Sequence, residues 1–144
     1  METLPLYTIK KNPSTFISDK VKSSSDAWRI ARQLYGDDID VYESFWIIAF
    51  NQAMESIGVA KIGQGGITGT YVDNKLIAKY LIDNLATGCI LVHNHPSGRL
   101  VPSQEDINLT KKVKESLELF DISVRDHLIL SNVDYYSFID NNML

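Results

Sequence analysis

Apolar positions along the chain switch between a period near 3.6 and short unbroken runs, and the switches divide it into elements. Ala27, Ile30, Ala31 and Leu34 form a helical stripe. Ser23 opens it, with Asp26 three residues on as in a capping box, and Gly36 is the expected stop. Phe45-Trp46-Ile47-Ile48-Ala49-Phe50 is a continuous apolar run. It predicts a central strand over 41–50, covered on both faces. A connection over 51–55 leads to alternation over 56–62, which predicts an antiparallel partner. Asp73 is a good N-cap for a helix over 74–86, with a buried face expected at Leu76, Ile77, Tyr80, Leu81 and Leu85. Residues 85–88 read as that helix's stop, and Cys89-Ile90-Leu91-Val92 as a buried strand. Beyond Ser103, residues Ile107, Val113, Leu117 and Phe120 recur at helical spacing, and strands follow over 122–130 and 135–138. The order α-β-β-α-β-α-β-β predicts an α/β fold, a mixed β-sheet sandwiched by helices. Residues 1–22 carry no sustained period. They read as an N-terminal arm or an edge strand around Leu6-Tyr7-Thr8-Ile9, leaving 23–144 as the domain.

Composition narrows the picture. A chain of 144 residues, 44% hydrophobic, can bury roughly two thirds of its unfolded surface in one core. No apolar run approaches the ~20 residues of a membrane span. The N-terminus lacks the apolar centre of an export signal, and a single cysteine, Cys89, excludes an intramolecular disulfide. Together these point to the cytoplasm and away from the membrane. A formal charge of −4 argues against a strongly basic nucleic-acid surface. The short runs Lys10-Lys11 and Lys111, Lys112, Lys114 read as solvated faces, and Trp28 as packing. The glycine-rich stretch over 63–70 lacks the Gly-Lys-Ser/Thr ending of a phosphate loop and the spacing of a dinucleotide loop. It reads as a loop needing close approach or positive φ.

Candidate chemistry concentrates where the buried strand 89–92 ends. Strand alternation puts His93 and His95 on one side of the chain. Across a Pro/Gly loop, Ser103 is placed as a helix N-cap with Asp106 in the first turn. Two imidazoles and a carboxylate can then converge as three metal ligands with a fourth position open, the arrangement of catalytic zinc. Zinc held by His93, His95 and Asp106 would lower the pKa of a water in that position toward ~7. Attack on a carbonyl then needs a carboxylate to hold the water and carry its proton to the leaving amine. Glu43, at the mouth of the central strand, is the candidate. Glu55 sits in a turn, and Glu105 faces another side of the helix. Ser103 has two compatible readings, a cap worth ~1 kcal/mol to the helix and a hydroxyl donor to an oxyanion, worth roughly 3–4 kcal/mol. His127, beside Asp126 in a strand, reads as a hydrogen-bonded core residue or as support for a ligand.

The same stretch resembles the JAMM (MPN-plus, or JAB) metalloprotease pattern: an upstream Glu, His-x-His, seven residues, Ser, two residues, Asp. Here these are Glu43, His93-Asn94-His95, Ser103 and Asp106. The wording His-Asn-His-Pro-Ser-Gly with Pro-Ser-x-x-Asp is similar to the RadC branch, historically labelled DNA repair proteins. The likeness continues through Asp126-His127 and Tyr136-Ser137-Phe138. It implies a cytidine-deaminase-like α/β fold and zinc on His93, His95 and Asp106. It also implies Glu43 as acid/base, Ser103 as oxyanion helper, and a peptide or isopeptide bond as substrate. Three departures accompany it. There is no room before Glu43 for the helix-hairpin-helix domain of larger RadC-type proteins, so direct DNA binding has little support. Asn74, with Lys75 beside it, replaces a basic residue usual in the helix after the glycine loop. The insertions by which eukaryotic members grip ubiquitin are not evident. Among alternatives, a zinc deaminase would need Pro-Cys-x-x-Cys, which one cysteine cannot supply. The other readings are a nuclease accessory or a non-catalytic adaptor on repair or mobile-element DNA, and a homo-oligomer is compatible with either function.

Overall fold

The computed structural model describes residues 1–8, 10–65 and 72–144. Among these, five strands form one mixed sheet: β1 (Ser44–Phe50), β2 (Ser56–Gln64), β3 (Gly88–Asn94), β4 (Ser123–Leu130) and β5 (Tyr135–Ser137). Their spatial order is β2-β1-β3-β4-β5. β1 runs antiparallel to both β2 and β3. β3 and β4 are parallel, and the helix α3 (Gln104–Glu118) makes the crossover between them. The other helices are α1 (Ser24–Arg32) and α2 (Asn74–Asp83).

The continuous apolar runs are explained by two cores, one on each face. On one face Phe45, Ile47, Ala49, Cys89 and Leu91 pack with Ile77 and Leu81 of α2 and Val113 and Leu117 of α3. On the other, Ile48, Phe50, Ile90, Val92, Leu128 and Leu130 receive Ala27, Ile30, Ala31 and Leu34 from the α1 region. Every residue of β3 is buried. Trp28 stacks on Tyr135 at 5.2 Å, as packing requires.

Several boundaries differ from the periodicity. β1 begins at Ser44 rather than 41, because a 3-10 turn at Asp37–Asp40 runs into Val41 in a helical conformation. Glu43 therefore lies on the turn just ahead of the strand. α1 ends at Arg32 with Gln33 as C-cap, so Gly36 is not its stop; it opens the 3-10 turn instead. α2 ends at Asp83, three residues short of the expected Ala86. The chain there closes in a Schellman motif: the Leu85 N–H donates to Ile82 O and the Ala86 N–H to Leu81 O. Leu85 itself takes the left-handed conformation (φ 52°) that glycine usually supplies and stands exposed. α3 closes the same way around Asp121 (φ 57°), leaving Phe120 exposed. Thus α2 buries Ile77 and Leu81, while Leu76, Tyr80 and Leu85, expected inside, remain on the exposed side. Full burial of a side chain such as Leu81 stabilises by about 1.5–3 kcal/mol, so a narrow stripe can hold a short helix.

Leu6 and Tyr7 are exposed and form no strand; Ile9, the last residue of that stretch, and most of the glycine stretch, 66–70, lie outside the described residues. The arm meets the sheet further on, where Lys20 bridges Glu55 and the Val21 N–H donates to Met54 O. No helix among the described residues is long and apolar enough to cross a membrane.

Candidate metal centre

Antiparallel pairing of β1 with β3 sets Phe45 opposite His93, so the start of β1 and the end of β3 share one edge of the sheet. Glu43 precedes the first, and His95 follows the second. The chain turns at 96–102, where Gly98 has φ +80° and its N–H donates to His95 O at 2.8 Å. α3 then begins with Ser103 as N-cap. Three element ends meet there, bringing Glu43 from the start of β1, His93 and His95 from the end of β3, and Ser103 with Asp106 from the start of α3.

The capping box fixes Asp106. Its N–H donates to Ser103 Oγ at 3.0 Å, and its Oδ2 accepts from the Ser103 N–H at 2.8 Å. That leaves the carboxylate facing the histidines: Oδ1 is 3.3 Å from His93 Nε2 and Oδ2 is 3.3 Å from His95 Nε2. The two Nε2 atoms are 3.0 Å apart. Glu43 Oε1 stands 4.0 Å from His93 Nε2, and Glu43, His93 and His95 each offer a donor atom within 4.8 Å of the others. This cluster could hold a metal ion. Ser103 is exposed at its rim. Glu105 is exposed, and Glu55 is engaged instead with Asn51 Nδ2 at 2.9 Å in the β1–β2 connection.

The hydrogen-bond partners assign the imidazole tautomers. Thr110 Oγ1 lies 2.6 Å from Asp106 O, a carbonyl that can only accept, so the hydroxyl proton is used there. The hydroxyl oxygen must then accept from His127 Nδ1–H at 2.6 Å. His127 Nε2 becomes an acceptor and takes the proton of His93 Nδ1 at 2.7 Å. Complete burial, with His93 adding to it, lowers the His127 pKa well below its ordinary value, which keeps that ring neutral as the chain of bonds requires. His93 Nε2 is left with a bare lone pair. His95 reaches the same state independently, since its Nδ1 donates to Arg99 O at 2.7 Å.

Two lone pairs and two carboxylates therefore converge with no donor among them. Such a set calls for a cation. The 3.0–3.3 Å separations are close to the ~3.3 Å edge of a tetrahedron with ~2.05 Å bonds, as zinc prefers. Without a metal, a proton serves. Burial works against charge on His95, but Asp106 and the Arg99 carbonyl outweigh it and raise its pKa. Burial likewise works against charge on Asp106, and the neighbouring imidazoles of His93 and His95 outweigh it, holding the carboxyl well below the usual carboxylate range.

Spacing alone brings His93, His95, Asp106, Glu43 and Ser103 to attention, and the fold draws all five to one edge. It gives no sign of Thr110, a polar residue inside a helix whose partner is a strand away. Nor does it mark Asn94, which sits between the two histidines but points to the other face.

Comparison with known proteins identifies the family. A family model described as the RadC-like JAB domain matches residues 21–143. The chain belongs to that family. A UPF0758 protein of Flavobacterium johnsoniae is 44% identical over 124 residues, 86% of this chain and 53% of that protein. A UPF0758 protein of Porphyromonas gingivalis is 37% identical over 71% of the chain and 45% of its own length. The chain spans about half the length of the curated relatives it matches. The mixed five-stranded sheet with three helices is consistent with a RadC-like JAB domain.

Proposed function

We propose that this RadC-like JAB domain is a zinc-dependent hydrolase of peptide or isopeptide bonds. The observation that carries the reading is the meeting of two imidazole Nε2 atoms with the Asp106 carboxylate and, slightly further off, Glu43. Zinc would be held by His93, His95 and Asp106. Asp106 is preferred to Glu43 as third ligand because it approaches both imidazoles at 3.3 Å from a rigid helix cap, whereas Glu43 is 4.0 Å from one of them. Bound there, zinc supplies Lewis acidity, polarising a carbonyl and making a water acidic near neutral pH.

The chain's own groups do the rest. Glu43 takes the proton of the attacking water and passes it to the leaving amine. The Ser103 hydroxyl oxygen accepts from the Asp106 N–H, so its own proton is free to donate to the carbonyl oxygen as negative charge develops there. His127 and Thr110 hold His93 in the tautomer that keeps its Nε2 lone pair on the site. The test is a library of peptides and isopeptide-linked lysines incubated with zinc-loaded protein and with Glu43→Gln. Hydrolysis that a chelator stops, zinc restores and the variant lacks is the expected result. A parent inert across the library, or cleavage that Glu43→Gln retains, contradicts the reading.

A further inference from the structure

We infer that Asn94 is a positioning residue that sets the Glu43 carboxylate against the His93–His95 pair. The inference rests on the proposed role of Glu43 as the base. Strand alternation sends the side chain between the two histidines to the opposite face, and there it is fully buried. Its Oδ1 accepts from the Ser44 N–H at 2.8 Å. Its Nδ2 donates to Ile39 O at 2.7 Å and to Tyr42 O at 2.8 Å. Three bonds engage the amide oxygen and both amide hydrogens.

Two of those bonds bracket Glu43, one on the carbonyl before it and one on the N–H after it. Neighbouring contacts complete the cage: the Gly65 N–H donates to Glu43 O at 2.9 Å, and the buried Tyr35 hydroxyl donates to Ser44 O at 2.9 Å. The backbone of Glu43 is thereby fixed on both sides while its side chain is free to face the histidines. This matters because Glu43 lies just ahead of β1, where the β2 side holds only its carbonyl, through the Gly65 N–H. The anchor of that turn is one residue from each histidine, so the base and the two imidazoles are referenced to the same short piece of β3. An amide is the group that does this. Aspartate has the same shape but no donor for the Ile39 and Tyr42 carbonyls, and serine is too short to reach both sides.

The experiment compares parent, Asn94→Asp and Asn94→Ser by crystal structure, amide hydrogen exchange and calorimetric titration with zinc chloride. The expected result has three parts. Glu43 Oε1 leaves its place 4.0 Å from His93 Nε2 while His93, His95 and Asp106 stay together. Exchange at the Ser44 and Gly65 amides rises about a hundredfold while Ile48 and Leu91 remain protected, which uniform destabilisation would not produce. Zinc affinity stays within about tenfold of the parent, because the groups that orient the ligands are intact. A Glu43 carboxylate that keeps its position after the clamp is broken overturns the inference. So does a loss of zinc affinity beyond about a hundredfold, which would place the action of Asn94 on the ligands. Should neither variant fold, the unmodified protein decides: the Asn94 side-chain amide protons must exchange at least about a hundredfold more slowly than those of exposed Asn12, and equal rates overturn the inference. Failure of the base reading looks different, since it appears as unchanged turnover in Glu43→Gln with the Asn94 clamp untouched.

Discussion

α1 and α3 open on the same four-residue device, Ser23 to Asp26 and Ser103 to Asp106, with both reciprocal bonds of a capping box present in each. In α1 the Asp26 carboxylate accepts from the Lys22 and Ser23 N–H groups and pairs with Arg29 at 2.6 Å, so its oxygens serve the helix start and Arg29. In α3 the Asp106 carboxylate accepts from Ser103 and then faces two imidazoles. Both acids have lowered pKa values for different reasons. The Lys22 N–H leads for Asp26, while for Asp106 the histidines overcome a burial cost. Local sequence writes the cap in both places. What makes one of them a candidate site is the strand end opposite, where β3 delivers His93 and His95.

Removing each acid separates the two caps most strongly. Asp106→Ala should lose stoichiometric zinc in a calorimetric titration. Asp26→Ala should bind zinc as the parent does and show only a small loss of stability in urea. Retention of a full equivalent by Asp106→Ala would strike Asp106 from the ligands. Next in size, Glu43→Gln should keep its zinc and lose about 10²–10⁴-fold in turnover on any peptide the parent cleaves.

The two capping serines extend the test. Ser23→Ala and Ser103→Ala should each cost about 1 kcal/mol of helix stability. Only Ser103→Ala should also slow turnover, by roughly 10²–10³-fold if its hydroxyl serves the oxyanion. Equal turnover in the two variants would reduce Ser103 to a cap.

How much of this was legible in the chain depends on whether the relevant contact is local. The His-x-His pair, the Ser103 cap and the start of α3 follow from neighbours along the sequence, and so do the two apolar runs that became β1 and β3. Glu43 is legible as an acid near a strand mouth, but the 3-10 turn ahead of it is bonded through Ile39 O to Asn94, 55 residues away. Thr110 is hidden, because its bond to His127 crosses from a helix to a strand, whereas His127 is legible beside Asp126 as a residue that supports a ligand. The outer face of α2 misled for another reason. Leu76, Tyr80 and Leu85 satisfy a helical period, yet the period does not say how wide a stripe the sheet will cover, nor that the chain will turn left-handed at Leu85.

The smallest expected effect is in pH dependence without metal. His95 has a raised pKa in the fold, so its protonated form contributes stability that is fully present below the unfolded value of 6.5 and is lost as pH rises through the folded value. Asp106 runs the other way, contributing above its unfolded 3.8 and losing that contribution as pH falls through its lower folded value. Thermal melts of chelated protein should therefore drop as pH rises above 6.5, and His95→Gln should flatten that limb. An unchanged limb in the variant would assign it elsewhere. Asp26→Ala should leave it in place.

The measurement that bears most directly on the account is metal content per chain, by plasma mass spectrometry on protein purified without chelator and then offered zinc, beside His95→Ala. One zinc per parent chain and none in the variant is the expected result. No metal in either would contradict the metal centre and turn attention to the adaptor reading, in which the paired lone pairs are held together by a proton alone.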